Sequence, residues 1–357
     1  MDMPFLFIGS TGDHAGQSLC AWALARRLLE KGLRIGFLKP FGTRLIQIKD
    51  MWTDPDAFLF KEALNIQEPL EMICPYQISE KRVREGRPAE ILGEIKSLAG
   101  RLSREKDLLL IIGSKHIFFD DVPHSIPDIS LISELNADIV LVHRFEKISK
   151  SLYSILSVNS LLKERVKGIV VNRIPQEQEK EVEDQIMPVI AEKGGHVITL
   201  LPEDPVLSQW SIGEIKDLLK GRIICGEEYL DRPVEGITVG TADLKGELLM
   251  FKRVYNKIIL LGASVADERS ESPAASREIA GILLTGNREP AQMISDAAKK
   301  SKIPLILVEE DSFGAKERLE QSTPTLTSED EDKVRHFTAM MDRDDFLNRL
   351  ILTLGLG

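Results

Sequence analysis

Apolar positions along the first part of the chain alternate between two periods. Short apolar runs at 5–8, 34–38, 108–112, 139–142, 168–171 and 197–201 predict strands buried on both faces. Between them, apolar residues recur at helical spacing. Leu19, Trp22, Ala23, Ala25, Leu28 and Leu29 make one such stretch, stopped at Gly32, and others fall at 58–64, 89–102 and 208–219. Strand followed by helix, repeated, predicts an α/β domain with a doubly wound, mostly parallel sheet over residues 1–220. From 221 the pattern becomes sparser. Strand candidates at 237–239, 258–261, 282–284 and 304–308, with helices at 291–301 and 313–319, predict a second, smaller α/β domain. That domain is expected to run to 357 and to end in an amphipathic helix over 342–354. The polar stretch 79–85 reads as a solvated face or loop, 267–276 as a mobile loop, and the acidic run 328–332 as a solvated helix start.

Composition narrows the partners. The net charge of −10 argues against nucleic acid, whose binding rests on Lys and Arg neutralising phosphates. Cys20, Cys74 and Cys225 lie far apart with no C-x-x-C pair, which suits buried thiols better than a disulfide framework or a zinc site. No basic segment precedes the apolar run at 5–8, and the run at 108–112 is far short of the ~18 residues of a membrane span. A cytoplasmic protein without a membrane segment is expected.

The first stretch with chemical content is Ser10-Thr11-Gly12-Asp13-His14-Ala15-Gly16-Gln17-Ser18, between a strand and a helix. A helix N-terminus presents unpaired N–H groups and about half a positive charge, which attract phosphate. Thr11, Gly12, Gly16, Gln17 and Ser18 are therefore candidate nucleotide-binding residues, with Ser18 able to offer a hydroxyl to magnesium. In a P-loop the residue after the last glycine is lysine. Here it is Gln17, the loop holds no Lys or Arg, and Asp13 adds a negative charge. Losing one charged hydrogen bond, about 1.5–3 kcal/mol, leaves binding feasible. Losing a charge-stabilising group at a transferring phosphoryl weighs more heavily on the reaction. The alternative is a Gly-rich turn with no ligand.

The same loop, followed by Gly36-Phe37-Leu38-Lys39-Pro40, Asp56-Ala57, Cys74-Pro75-Tyr76, Val170-Val171-Asn172-Arg173 and Leu201-Pro202-Glu203-Asp204-Pro205, resembles the dethiobiotin synthetase family. In particular it resembles the dethiobiotin-synthetase-like domain at the N-terminus of some phosphotransacetylases, a P-loop NTPase-like fold. The stretch 226–236, with Asp231-Arg232, and then Leu284-Thr285-Gly286-Asn287 resemble a DRTGG domain, the module that follows in those proteins, although the eponymous motif is matched only loosely. Their acetyl-transferring domain has no counterpart within 1–357, so that activity is not implied.

The resemblance implies roles position by position. Ser18 and Asp56 match metal-side groups, Lys39 matches a substrate- and phosphate-facing lysine, and Asn172 matches a base-recognising residue. The third metal-side carboxylate, a glutamate in a Val-Glu-Gly turn, is Ile112 in Ile111-Ile112-Gly113. With Gln17 and Ile112 both lacking the expected charge, the site is expected to bind ATP or ADP, to hold magnesium more weakly, and to have lost its reaction. Whether the chain is an enzyme stays open on this reading. Lys39 could also be a surface lysine, Asp56 also suits a helix start, and His14 is either a partial stand-in for the lysine or a solvated loop histidine. His116, His124 and His143 lack metal spacing. Asp231, Arg232 and Gly236 are ligand candidates or turn-formers, Asp231-Arg232 suggests an internal ion pair, and Gly236 and Gly240 suggest tight turns. The expected role is a regulatory nucleotide-binding protein, homodimeric and open to a protein partner. The alternatives are an ATP-dependent ligase of dethiobiotin or cobyrinate type and an interaction scaffold that binds no nucleotide.

Overall fold

A computed structural model describes residues 4–48, 50–78, 87–118, 126–193, 197–234, 236–239, 258–264, 277–287, 289–290, 292–320, 322, 324–328 and 330–357. The stretches 79–85 and 267–276, His124 and Gly240 lie outside or largely outside these residues. The chain divides into two compact units, one made of 1–204 with 326–357 and the other of 205–325.

Six parallel strands make the central sheet of the first unit: β1 (Phe5–Ser10), β2 (Ile35–Leu38), β3 (Leu108–Ile112), β4 (Asp138–Arg144), β5 (Val166–Ile174) and β6 (Val197–Pro202). Their order is β6-β5-β4-β1-β3-β2. The expected strands are thus present, with every residue of β2 and β3 buried, as continuous apolar runs require. The helices between them are α1 (Gln17–Glu30), α2 (Pro55–Ala63), α3 (Pro88–Leu102), α4 (Asp128–Glu134), α5 (Ile148–Leu162) and α6 (Glu179–Glu192). The step from β1 to β2 runs outward past β3, and the step from β3 to β4 runs back past β1. Right-handed crossovers therefore place α1 on one face and α3 to α6 on the other. One core cluster joins Ile95 of α3, Leu131 of α4, Ile155 of α5 and Ile186 of α6 to Phe7, Leu109, Ile139 and Ile169 of the sheet. Because β1 and β3 send their connections in opposite directions, a crevice opens at their carboxyl ends.

That topology leaves the α1 face short of cover over β5 and β6, and the C-terminus supplies it. Helix α10 (Glu331–Met341) packs on α1, and α11 (Phe346–Thr353) packs on β5 and β6. Leu350 and Phe346 come so close to Gly168 that a Cβ there would lie 3.1 Å from Leu350 Cδ1. The closing helix expected in the second domain therefore belongs to the first unit. Its apolar face, with Phe346, Leu347, Leu350 and Ile351 all buried, finds its partner there.

The second unit also begins earlier than 221. Helix α7 (Ile212–Leu218), expected to close the first domain, buries Ile212 and Ile215 in the second core beside Leu283, Ile306 and Leu319. It is started by a capping box in which Ser211 and Glu214 bond each other's backbone N–H groups. The sheet contains β7 (Arg222–Cys225), β8 (Gly236–Val239), β9 (Ile258–Ser264), β10 (Arg277–Leu284) and β11 (Leu305–Leu307) in the order β7-β11-β10-β9-β8. Only the β10–β11 pair is parallel. Helix α8 (Gln292–Lys300) and helix α9 (Ser312–Glu320) fall in separate core clusters with alternate residues of these strands, so both faces of the sheet are covered.

Candidate functional site

The glycine loop follows β1 and enters α1 at the carboxyl end of the sheet. Gly16 starts the helix with φ +97°, and a Cβ there would stand 2.7 Å from Asn172 Nδ2, so backbone geometry and space both require glycine. The loop is pinned from within: Gly12 N donates to Ser10 Oγ at 3.1 Å, and Ser10 Oγ donates to Gly12 O at 2.6 Å. Thr11 Oγ1 lies 2.5 Å from His143 Nδ1, whose other ring nitrogen lies 2.8 Å from Ser151 Oγ. Burial drives the His143 pKa down to about 4, so the ring beneath the loop is neutral. Burial also lowers the pKa of His14, which keeps it a weak substitute for a lysine near neutral pH.

Gln17 does not face open solvent. Its Nε2 donates to Ile8 O at 3.2 Å and to Ser114 O at 3.0 Å, tying the loop to the turn after β3. That turn holds Gly113, where a Cβ would fall 2.2 Å from Asp128 Oδ2. Asp128 in turn accepts the Ser114 N–H at 2.7 Å. Ile112, in the place of the expected carboxylate, is buried in the core.

Lys39, Asp56 and Ser18 come together as the sequence suggests, and they satisfy one another. Ser18 Oγ donates to Asp56 Oδ1 at 2.6 Å; Lys39 Nζ donates to Asp56 Oδ2 at 3.2 Å and to Gly113 O at 2.8 Å. The Lys39 side chain is only 4% exposed, so it is no surface lysine. Burial works to lower its pKa, but the charges of Asp56 and Asp54 outweigh burial and hold it above the ordinary value. Burial likewise works to raise the pKa of Asp56, and Lys39 with the Ser18 hydroxyl overrides it downward. Asp54, which belongs to none of the motifs above, anchors this corner. As the N-cap of α2 it accepts Asp56 N at 2.9 Å, and it also accepts Thr43 N at 2.8 Å and Arg44 N at 3.2 Å. Burial, then the charge of Asp56, raises its pKa.

For magnesium the donor set fits poorly. Both oxygens of Asp56 are engaged by Ser18 and Lys39, Ile112 offers no oxygen, and no cluster of three acidic, His or Cys ligands exists among the described residues.

On the opposite flank, Asn172 tucks under the loop. Its Nδ2 donates to Ala15 O at 2.9 Å and its Oδ1 accepts Arg173 N at 2.9 Å. Beside it a cleft of about 480 Å³ is lined by Thr11, Gly12, Asp13, Arg144 and neighbouring residues of the β4 end. Arg144 was missed by sequence reading, since it belongs to no motif and only the strand ends bring it beside the loop. Arg173 was quoted within a motif without a role. In the second unit Arg232 does not pair with Asp231. Its guanidinium lies over the Tyr229 ring at 4.3 Å, a cation–π contact, and among the described residues the expected ion pair is not formed. Gly236 sits in β8 opposite Gly262, in a strand and not in a tight turn. The three cysteines are free and buried, and burial raises Cys20 and Cys74 to about 12, which makes those thiols unreactive.

A six-stranded parallel sheet with a glycine loop leading into the helix after β1 defines an α/β fold of P-loop NTPase type. A family model described as an AAA domain matches residues 5–211, and one described as a DRTGG domain matches 214–322; the chain belongs to the AAA-domain family, with a DRTGG domain after it. Among curated proteins, a phosphate acetyltransferase of Synechocystis is 24% identical over 97% of this chain and 51% of its own length. A phosphate acetyltransferase of Pseudomonas aeruginosa is 22% identical over 94% and 50% respectively. The chain therefore spans about half the length of these relatives, and the expected resemblance to the N-terminal part of phosphotransacetylases holds. A solved structure, the septum site-determining protein MinD complexed with Mg-ADP from Pyrococcus horikoshii, covers 57% of this chain and 83% of its own at 16% identity and TM-score 0.33. No helix among the described residues is long and apolar enough to cross a membrane.

Proposed function

We propose that the first unit binds an adenine nucleotide at the glycine loop without turning it over, and that the chain serves as a regulatory protein, acting as a homodimer. The observation that carries this reading is the side chain of Gln17. It stands where a P-loop lysine would reach the outer phosphates, and both its hydrogen bonds go to main-chain carbonyls of the fold. The amides at the start of α1 can still attract phosphate, while the buried cation nearest the loop, Lys39, is held by Asp56 and Gly113. Binding therefore retains its sources, and transition-state charge stabilisation does not. Phosphate acetyltransferases are the relatives in hand, and regulation of that chemistry by nucleotide is the role this reading favours.

The test is a thermal-shift titration with ATP, ADP, GTP and AMP, with and without magnesium. At about 100 times its dissociation constant a ligand adds about 2.7 kcal/mol of stability. A shift with adenine nucleotides that is indifferent to magnesium is expected. A shift that requires magnesium, accompanied by hydrolysis, overturns the non-catalytic reading. No shift with any nucleotide overturns the binding reading.

A further inference from the structure

The glycine loop lacks a cation, yet two guanidinium groups stand beside it. Arg144 is the last residue of β4 and Arg173 lies near the end of β5, and the two strands pair so that Arg144 is opposite Asn172. The Phe145 N–H to Asn172 O bond of 2.8 Å continues that ladder past the strand end, fixing both arginines to one rigid edge. Arg144 lines the cleft in front of Thr11, Gly12 and Asp13. Among the described residues neither guanidinium makes an ion pair or a side-chain hydrogen bond. The carboxylates nearby are otherwise placed: Glu146, on the cleft wall, pairs with Lys150 at 2.5 Å, and Glu203 touches Arg173 only through its field.

Two features mark this as a prepared site. Arg173 holds a left-handed backbone, φ +60°, which non-glycine residues adopt at a cost that surrounding structure must offset, most often at functional positions. Its half-buried guanidinium also feels the charge of Arg144; burial followed by that neighbour lowers its pKa, and the field of Glu203 opposes them only in part. Neighbouring guanidinium groups with no ion-pair partner among the described residues favour an anion beside them. Arginine's planar fork suits phosphate oxygens in particular.

We infer that Arg144 and Arg173 form a phosphate clamp on the β4–β5 flank of the glycine loop, taking a di- or triphosphate group and standing in for the missing loop lysine. The inference deepens the nucleotide reading and rests on it only for the identity of what carries the phosphates. The clamp adds its two cations to the amides at the start of α1, from the flank opposite Lys39.

The experiment is calorimetric titration of the full chain with ATP, tripolyphosphate and adenosine, repeated on Arg144→Gln, Arg173→Gln and Arg173→Lys. Unliganded unfolding curves confirm that each variant folds; Arg144 is exposed, so R144Q provides a folded reference even where R173Q is weakened. Wild type is expected to bind ATP and tripolyphosphate, each Gln variant to lose about tenfold for both, and Arg173→Lys to recover part of the loss. Tripolyphosphate binding without any advantage for ATP supports the clamp and overturns the nucleotide reading. ATP binding that is equally tight in R144Q and R173Q overturns the clamp and leaves the nucleotide reading standing. Binding of neither anion overturns both.

Discussion

The two flanks of the glycine loop use similar side chains and arrive at opposite electrostatic states. On the β2–β3 flank, Lys39 is buried with Asp56, and cation, carboxylate and the Ser18 hydroxyl satisfy one another. On the β4–β5 flank, Arg144 and Arg173 have no carboxylate partner among the described residues. Burial accounts for the difference. A charge that is 4% exposed must be matched inside the protein, because an unpaired one there costs several kcal/mol. Arg144 at a strand end stays in contact with water and needs no internal match. The lesson is that the lysine given a ligand role by the resemblance is held by the fold's own groups, while the two unpaired arginines lie on strand ends to which the resemblance gave no role.

The largest effect should come from breaking the closed flank. Lys39→Ala leaves Asp56 buried without its cation and should cost about 3–5 kcal/mol, whereas Lys39→Met combined with Asp56→Asn, which removes both charges, should cost much less. Hydrogen exchange of the β1–β3 amides reads the first unit separately from the second. Equal losses for the single and double variants would show that the pair contributes packing and not charge matching.

A smaller effect lies beneath the open flank. His143 titrates at about 4 in the folded protein, against an ordinary value near 6.5. Its folded pKa is depressed, so the unfolded chain binds the proton more readily between those two values. The neutral ring's contribution is present above pH 6.5 and is lost as pH falls toward 4. The gap corresponds to a loss on the order of 3 kcal/mol. His143→Gln should flatten stability over that window, measured as urea midpoints at steps of pH. An unchanged slope would place the titration elsewhere, with Glu146 and Lys150, whose charges face the ring, as the groups to vary next.

Much of the first unit is legible because its strands are continuous apolar runs and its helices keep their spacing. Gln17 and Ile112 announce an altered site in the sequence. The pairing of Ser18, Lys39 and Asp56 could be expected from the resemblance, although their mutual neutralisation needs three-dimensional distances. Asp54 was readable, since Asp before Pro55 is a helix-start signature. Helix α11 was read as a helix but given to the wrong unit, because amphipathicity shows that a face is buried and not against what. Arg144 carried no signal: neither its neighbours in sequence nor its spacing from the loop foretells that β4 lies next to β1.

The finest test of the comparison is Asp13, whose carboxylate lines the open cleft and lies 3.8 Å from Lys115 Nζ with 49% of the side chain exposed. An exposed pair of this kind contributes about 0–1 kcal/mol, so Asp13→Asn should leave folding stability almost unchanged. Its effect on an anion should be larger than its effect on the fold. Removing one negative charge from the wall facing Arg144 raises the local potential, and tripolyphosphate affinity should rise about two- to fivefold at low salt, with the gain fading toward molar salt as screening shortens to about 3 Å. The same substitution should do nothing for a ligand held only on the β2–β3 flank, where Asp56 remains in place. An affinity that is unchanged at low salt would mean that the phosphates do not sit in this cleft, and the contrast between the flanks would then concern folding alone.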